Sequence, residues 1–214
     1  MVSQHFAHVR TWVFDLDNTL YPPEVRLFDQ IEELMRHYMA REIGVDFETA
    51  DRLRAEYWAK YGTTLAGLMA EHKVDPDHFL TEVHQINFDI LPKDPELARN
   101  IAALPGRKIV YTNGARPYAH NVLAARGLEN LFDEVYGIEH AGYRPKPERA
   151  AFEQVFDRDG VDPRIGAMFE DDPRNLAVPH AMGMKTVHVA PSATPADHIH
   201  HHTDDLSAFL SQVL

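Results

Sequence analysis

The chain has 214 residues, 44% hydrophobic and 25% charged, a balance that fits one folded domain or a core with a modest insertion. A formal net charge of −12 repels a polyphosphate backbone, so a nucleic-acid polymer is not an expected partner. There is no cysteine, which excludes disulfides, thiol nucleophiles and thiolate metal sites together and agrees with a reducing, cytoplasmic setting.

The first residues, MVSQHFAHVR, have neither the basic start nor the apolar stretch of a signal peptide. No apolar run approaches the roughly 18 residues of a membrane span, so no membrane is expected as partner. The first strong element is Thr11-Trp12-Val13-Phe14, leading straight into Asp15. Four apolar or β-branched residues in a row predict a strand buried on both faces. Pro22-Pro23 then breaks the chain. Leu27, Phe28, Ile31, Leu34, Met35, Tyr38 and Met39 recur at helical spacing, so a helix is expected over 27–43 with Gly44 as its stop. Further helical patterns cover about 48–60, 63–72 and 77–88, with no strand among them.

At Asp94-Pro95 an N-cap residue followed by proline opens a helix that stops at Pro105-Gly106. From there the pattern alternates. Strands are expected at 108–112 (KIVYT), 134–137, 167–170 (AMFE) and 185–189 (KTVHV). Helices are expected at 116–126, closed by Gly127, at 147–158, at 173–182 and at 203–214, with Pro179 shortening or kinking the third of these. This alternation predicts an α/β fold, a Rossmann-like parallel sheet with helices on both faces. The core is 1–21 and 94–214, interrupted by an all-helical cap at 22–93. His198-Ile199-His200-His201-His202 reads as a polar loop before the last helix rather than a metal site.

Ligands of open parallel sheets bind beyond the carboxyl ends of the strands. Those positions hold Asp15, Asp17, Asn18 and Thr19, then Thr112, Asn113 and Gly114, then Glu170, Asp171 and Asp172, with Arg144, Pro145 and Lys146 in an adjoining loop. Two carboxylates about 4 Å apart repel by roughly 4 kcal/mol at an effective dielectric near 20, so gathering Asp15, Asp17 and Asp171 calls for a cation. Mg²⁺ suits such a site, because it takes hard oxygen ligands, accepts few from protein and keeps its waters. A carboxylate can then attack phosphorus, and a second carboxyl can serve the leaving oxygen and the incoming water in turn.

D-L-D-N-T-L after a buried strand resembles the first motif of the haloacid dehalogenase superfamily of phosphatases. Y-T-N-G, R-P-K-P and F-E-D-D follow in the order of its later motifs. The resemblance covers essentially the whole chain, the place of the helical cap included. It implies Asp15 as nucleophile and metal ligand, and Asp17 as general acid/base with a metal-binding backbone carbonyl. It further implies Thr112 and Asn113, with Asn18 and Gly114 beside them, as groups around the phosphate, and Lys146 as the charge-neutralising lysine. Asp171 matches the acidic metal ligand; Glu170 or Asp172 would act through water.

A looser likeness to the pyrimidine 5′-nucleotidase group rests on W-V-F-D-L-D-N-T-L-Y, Y-G-T-T-L-A-G-L-M and F-E-D-D-P-R-N-L. It implies a Mg²⁺-dependent hydrolase of pyrimidine nucleoside 5′-monophosphates, a small phosphorylated metabolite as partner, and a monomer or homodimer. A sugar-phosphate or phosphoglycolate phosphatase, or a phosphomutase, is the alternative of the same fold. A haloacid dehalogenase and a non-catalytic binding protein come after it. Tyr38, Tyr57, Trp58 and Tyr61 are candidates to stack on a base, against the commoner reading that aromatics at helical spacing pack a core. Arg116 is a weaker candidate anion contact, and Asp172 before Pro173 is equally a helix N-cap.

Overall fold

A computed structural model describes residues 2–214. After the short helix α1 (Val2–Phe6) and strand β1 (Thr11–Phe14), the chain runs through four helices, α2 (Leu27–Glu42), α3 (Phe47–Tyr61), α4 (Thr64–His72) and α5 (Pro76–Val83). It then alternates: α6 (Pro95–Ala103), β2 (Arg107–Tyr111), α7 (Arg116–Arg126), β3 (Glu134–Tyr136), α8 (Arg149–Asp159), β4 (Gly166–Glu170), α9 (Ala177–Ala181), β5 (Lys185–Val189), β6 (His201–Thr203) and α10 (Leu206–Val213). The six strands form one parallel sheet in the order β3-β2-β1-β4-β5-β6. Among the described residues no helix is long and apolar enough to cross a membrane.

Side chains alternate across a strand, and β1 shows why every one of its residues is apolar or β-branched. Trp12 and Phe14 enter one apolar cluster, with Val110, Phe169 and Val187 of neighbouring strands and Ile101, Val122 and Phe209 from helices. Val13 enters the opposite cluster, with Ile109, Met168 and the α8 residues Phe152, Val155 and Phe156. Trp12, Val13 and Phe14 are each at most 1% exposed. Burying a valine or phenylalanine this fully stabilises the fold by about 1.5–3 kcal/mol per side chain. The β1 strand is the spine of the sheet because it has no wet face.

The four helices after β1 share the first of these clusters through Ile31, Tyr57, Leu68, Phe79 and Val83. Side-chain caps start three of them: Asp46 Oδ1 accepts from Thr49 N at 2.7 Å, Thr63 Oγ1 from Ala66 N at 3.1 Å, and Asp75 Oδ1 from Asp77 N at 3.0 Å. Helices α3 and α4 approach so closely at Gly67 that a Cβ there would sit 2.2 Å from Cγ of the Tyr57 ring.

Four expectations change in detail. The 77–88 helix ends at Val83, and 203–214 begins only at Leu206, where the Asp205 carboxylate accepts from Ala208 N at 2.9 Å. Residues 173–182 divide into a 3₁₀ turn, Pro173–Leu176, and α9. Pro179 is tolerated as the third residue of α9, where an N–H would have no helical acceptor. His201–Thr203, expected as the end of a loop and the first residue of the last helix, is an edge strand paired with β5. Nothing in its polar sequence announces a strand; the neighbouring backbone supplies the reason. The Val2–Phe6 helix was also not expected, and Phe6 stacks on Trp12.

Candidate active site

Strand register assembles the site before any side chain is considered. Phe14 pairs with Val110 on one side and Phe169 on the other, so Asp15 emerges beside Tyr111 and Glu170. Asp15 N donates to the Phe169 carbonyl at 2.9 Å, which fixes the first residue beyond the strand. The chain steps from β1 outward to β2 and β3, then returns to the other side for β4, β5 and β6. That reversal leaves a crevice at the carboxyl end of β1.

Lys146 lies under this crevice at 1% exposure, its ammonium donating to Asp15 Oδ1 at 2.7 Å, Glu170 Oε2 at 2.6 Å and the Tyr111 carbonyl at 3.0 Å. Its three donors are thereby used. Burial works against the charge on Lys146, but Asp15 and Glu170 outweigh it and hold its pKa above the usual lysine range. Asn113 secures the lysine's backbone from both ends: Oδ1 accepts from Lys146 N at 2.8 Å and Nδ2 donates to Lys146 O at 3.2 Å. A residue expected to hold phosphate therefore spends its side chain on positioning the lysine.

Asp15, Glu170 and Asp171 each present a carboxylate oxygen within 4.8 Å of the others. Burial first, then the Glu170 charge, pushes the Asp15 carboxyl well above the usual carboxylate range, against the pull of Lys146. Burial, Glu170 and Asp15, in that order, raise Asp171. Three acids against one ammonium leave a surplus of negative charge in a desolvated place. A hard divalent cation with oxygen ligands relieves that surplus, so these residues fit Mg²⁺. Asn18, in the left-handed region at φ 57°, reaches across from the β1 loop and donates to Asp171 Oδ2 at 3.3 Å. Asparagine tolerates that backbone better than most residues.

Asp17 lies apart from the three clustered acids. Its Oδ1 accepts from Tyr118 at 2.5 Å and Tyr21 at 2.7 Å. Burial raises its pKa, and the two phenols partly oppose that rise. Thr112, 1% exposed, uses Oγ1 to accept from Gly114 N at 2.9 Å. Gly114 is needed for space: a Cβ there would stand 2.9 Å from Tyr118 Cδ1. Asp172 behaves as an N-cap, accepting from Arg174 N at 2.9 Å and from the Arg174 guanidinium at 2.6 Å. Arg174 in turn lies 3.5 Å over the Trp58 ring of α3.

The helices after β1 roof the acids and border a half-open cavity of about 1100 Å³, lined also by Phe28, Met35, Arg36, Arg54, Trp58 and His84. Of the four aromatic candidates only Trp58 lines it; Tyr38 and Tyr57 are core residues at 3% and 4% exposure, and Tyr61 bonds Glu71. Arg116 pairs with Glu134 at 2.6 Å and does not line the cavity. The histidine-rich segment holds backbone. His198 Nε2 donates to the Pro173 carbonyl at 2.8 Å, and His188, one strand away, donates to the Asp171 carbonyl at 2.9 Å. Sequence reasoning missed Tyr21, Tyr118, His84 and His188. Tyr21 closes the quoted stretch W-V-F-D-L-D-N-T-L-Y, but nothing local marks the other three.

The family model for haloacid dehalogenase-like hydrolases matches residues 9–183. The chain belongs to that family. This haloacid dehalogenase-like hydrolase is 26% identical over 195 residues to phosphate metabolism protein 8 of Saccharomyces cerevisiae, a match that takes in 82% of this chain and 60% of the yeast protein's length. Among solved structures, the HAD-hydrolase YfnB from Bacillus subtilis, bound to magnesium, matches with a TM-score of 0.62 at 16% identity, over 96% of this chain and 98% of that one. A HAD phosphatase from Thermococcus onnurineus gives 0.59 at 18%, over 91% and 93%. A 2-haloacid dehalogenase from Pseudomonas syringae pv. Tomato DC3000 gives 0.57 at 20%, over 95% and 99%. At such identities the likeness is one of fold, and the fold serves more than one chemistry, so the reaction must be argued from the site.

Proposed function

We propose that this hydrolase is a Mg²⁺-dependent phosphomonoesterase that works through an aspartyl-phosphate on Asp15, with pyrimidine nucleoside 5′-monophosphates as its substrates. The observation that carries the proposal is the group of Asp15, Glu170 and Asp171, the first two buried and paired with the Lys146 ammonium, beneath a cavity of about 1100 Å³.

Bound Mg²⁺ supplies positive charge beside the transferring phosphoryl oxygens. The chain's own residues do the rest. Glu170 fixes the Lys146 ammonium, which holds Asp15 in one orientation, so an Asp15 oxygen is aimed at phosphorus without a conformational search. Asp17, kept apart from the other acids, protonates the leaving alcohol and then takes a proton from the attacking water. An alkyl halide needs no such proton, which favours phosphate over halide chemistry.

The cap wall supports an uncharged leaving group. Arg54 already pairs with Glu32 at 2.8 Å and Asp51 at 3.1 Å, and Arg36 pairs with Glu33 at 2.5 Å. A second phosphate or a carboxylate on the substrate would have to compete with these acids, whereas a nucleoside meets Trp58, Phe28 and Met35 without doing so. The test is phosphate release with Mg²⁺ from pyrimidine and purine monophosphates, sugar phosphates and phosphoglycolate. Wild-type protein turns over the pyrimidine nucleotides best, and Asp15→Asn releases nothing while remaining folded. Preference for phosphoglycolate would move the assignment to the alternative substrate class, and conversion to an isomer without free phosphate would make the protein a mutase.

A further inference from the structure

Two phenol hydroxyls, from the loop after β1 and from α7, converge on one oxygen of Asp17. Tyr118 and Tyr21 both donate to Oδ1, and among the described residues no protein group bonds Oδ2. The tyrosines are 2% and 1% exposed, so water does not displace them. The Tyr118 ring is itself fixed. On one side lies Gly114, whose missing Cβ makes room for it. His84, just past α5, stacks on the ring with centroids 4.2 Å apart and planes 10° from parallel. Seating of the cap and orientation of Asp17 therefore meet in one side chain.

We infer that Tyr118, assisted by Tyr21, is a positioning residue that reserves Oδ1 of Asp17 and leaves Oδ2 to carry the transferred proton. This inference rests on the phosphatase reading above. In the first half-reaction an Asp15 oxygen bonds to phosphorus, the ester P–O bond breaks, and the departing alcohol oxygen takes the proton from Oδ2. In the second, Oδ2 takes a proton from water while the water oxygen bonds to phosphorus and the bond from Asp15 to phosphorus breaks. A free carboxyl can carry its proton on either oxygen. With two O–H groups aimed at Oδ1, a proton there would force both phenols to turn, so the productive form is selected before substrate arrives.

The test uses Tyr118→Phe, which keeps the ring and its stack. The readout is Mg²⁺-dependent kcat/KM for two esters: 4-nitrophenyl phosphate, whose leaving group needs no proton, and n-propyl phosphate, whose leaving group does. Tyr118→Phe loses about 10- to 100-fold on the propyl ester and less than about threefold on the nitrophenyl ester. Tyr21→Phe gives the same pattern to a smaller degree. Asp17→Asn gives it in full, and adding Tyr118→Phe to that variant costs under about twofold more, as two residues acting through one group require.

Equal losses on both esters, no loss at all, or losses that add to those of Asp17→Asn overturn the inference, because a packing defect has no reason to sense the leaving group. Urea midpoints check that each variant is folded; should Tyr118→Phe fail that check, Tyr21→Phe decides by the same ratio. A wild-type protein that cleaves neither ester overturns the phosphatase reading instead, so the two failures are distinguishable.

Discussion

Replacing Lys146 by methionine removes an ammonium from beneath three acids while keeping an unbranched side chain in the buried slot. Its Nζ stands 2.7 Å from Asp15 Oδ1 and 2.6 Å from Glu170 Oε2. At an effective dielectric near 20, each contact is attractive by roughly 6 kcal/mol. Most of that gross attraction offsets the desolvation of the ions, and an acid that loses its partner can take up a proton. The expected net loss is therefore the usual cost of breaking a buried pair, about 3–5 kcal/mol of unfolding free energy in metal-free buffer. Mg²⁺ held by the same three carboxylates should stabilise the variant more than the wild type. Wild-type protein at a hundredfold excess over Kd gains about 2.7 kcal/mol. Urea unfolding of both proteins, with EDTA and with Mg²⁺, measures these quantities directly. A Lys146→Met protein as stable as wild type without metal, or one that gains no more than wild type from Mg²⁺, would refute the electrostatic account of the site.

Excess EDTA should abolish phosphate release and added Mg²⁺ restore it; full activity in the chelator would remove the metal from the mechanism. Asp172→Ala deletes an N-cap and the partner of Arg174, and should cost about 0.5–2 kcal/mol in urea unfolding while leaving the Mg²⁺ concentration for half-maximal activity within about threefold. A rise of tenfold or more in that concentration would place Asp172 among the metal ligands. Burial pushes the His84 imidazole down to about 4 from its ordinary 6.5. Below pH 6.5 the unfolded chain binds a proton that the folded chain refuses, so stability falls as pH drops through that window, by up to about 3 kcal/mol. His84→Phe keeps a ring against Tyr118 but has no proton to bind, and its unfolding free energy should change less between pH 7 and pH 5. Parallel curves for variant and wild type would show that His84 titrates freely in the folded protein.

Much of the core was legible because its signals are local. The β1 strand announces itself by holding only apolar or β-branched residues, and Arg116–Arg126 closes at Gly127 as expected, with Gly127 in the left-handed conformation. The edge strand His201–Thr203 was not legible, since its pairing partner is β5 rather than anything in its own composition. The site divides the same way. Asp15, Lys146 and Asp171 could be named from motif order, but the roles of Asn113 and Gly114 shifted. Asn113 grips the lysine's backbone, and Gly114 makes way for Tyr118.

The three consecutive acids Glu170, Asp171 and Asp172 show where sequence stops. Their presence at a strand end was enough to predict a charged rim, because strand ends and their carboxylates are written in the local chain. Which of them face one another depends on elements far away, as Lys146 draws Glu170 in and Asn18 reaches Asp171, whereas Arg174, two residues on, turns Asp172 aside. Likewise Asp17 is marked by its motif, but its orientation comes from Tyr118, 101 residues further along. Composition and periodicity decided five of the six strands, most of the helices and the list of acids. Only packing decided which oxygen each acid offers, since a carboxylate turns to whichever donor the folded chain brings within hydrogen-bonding reach.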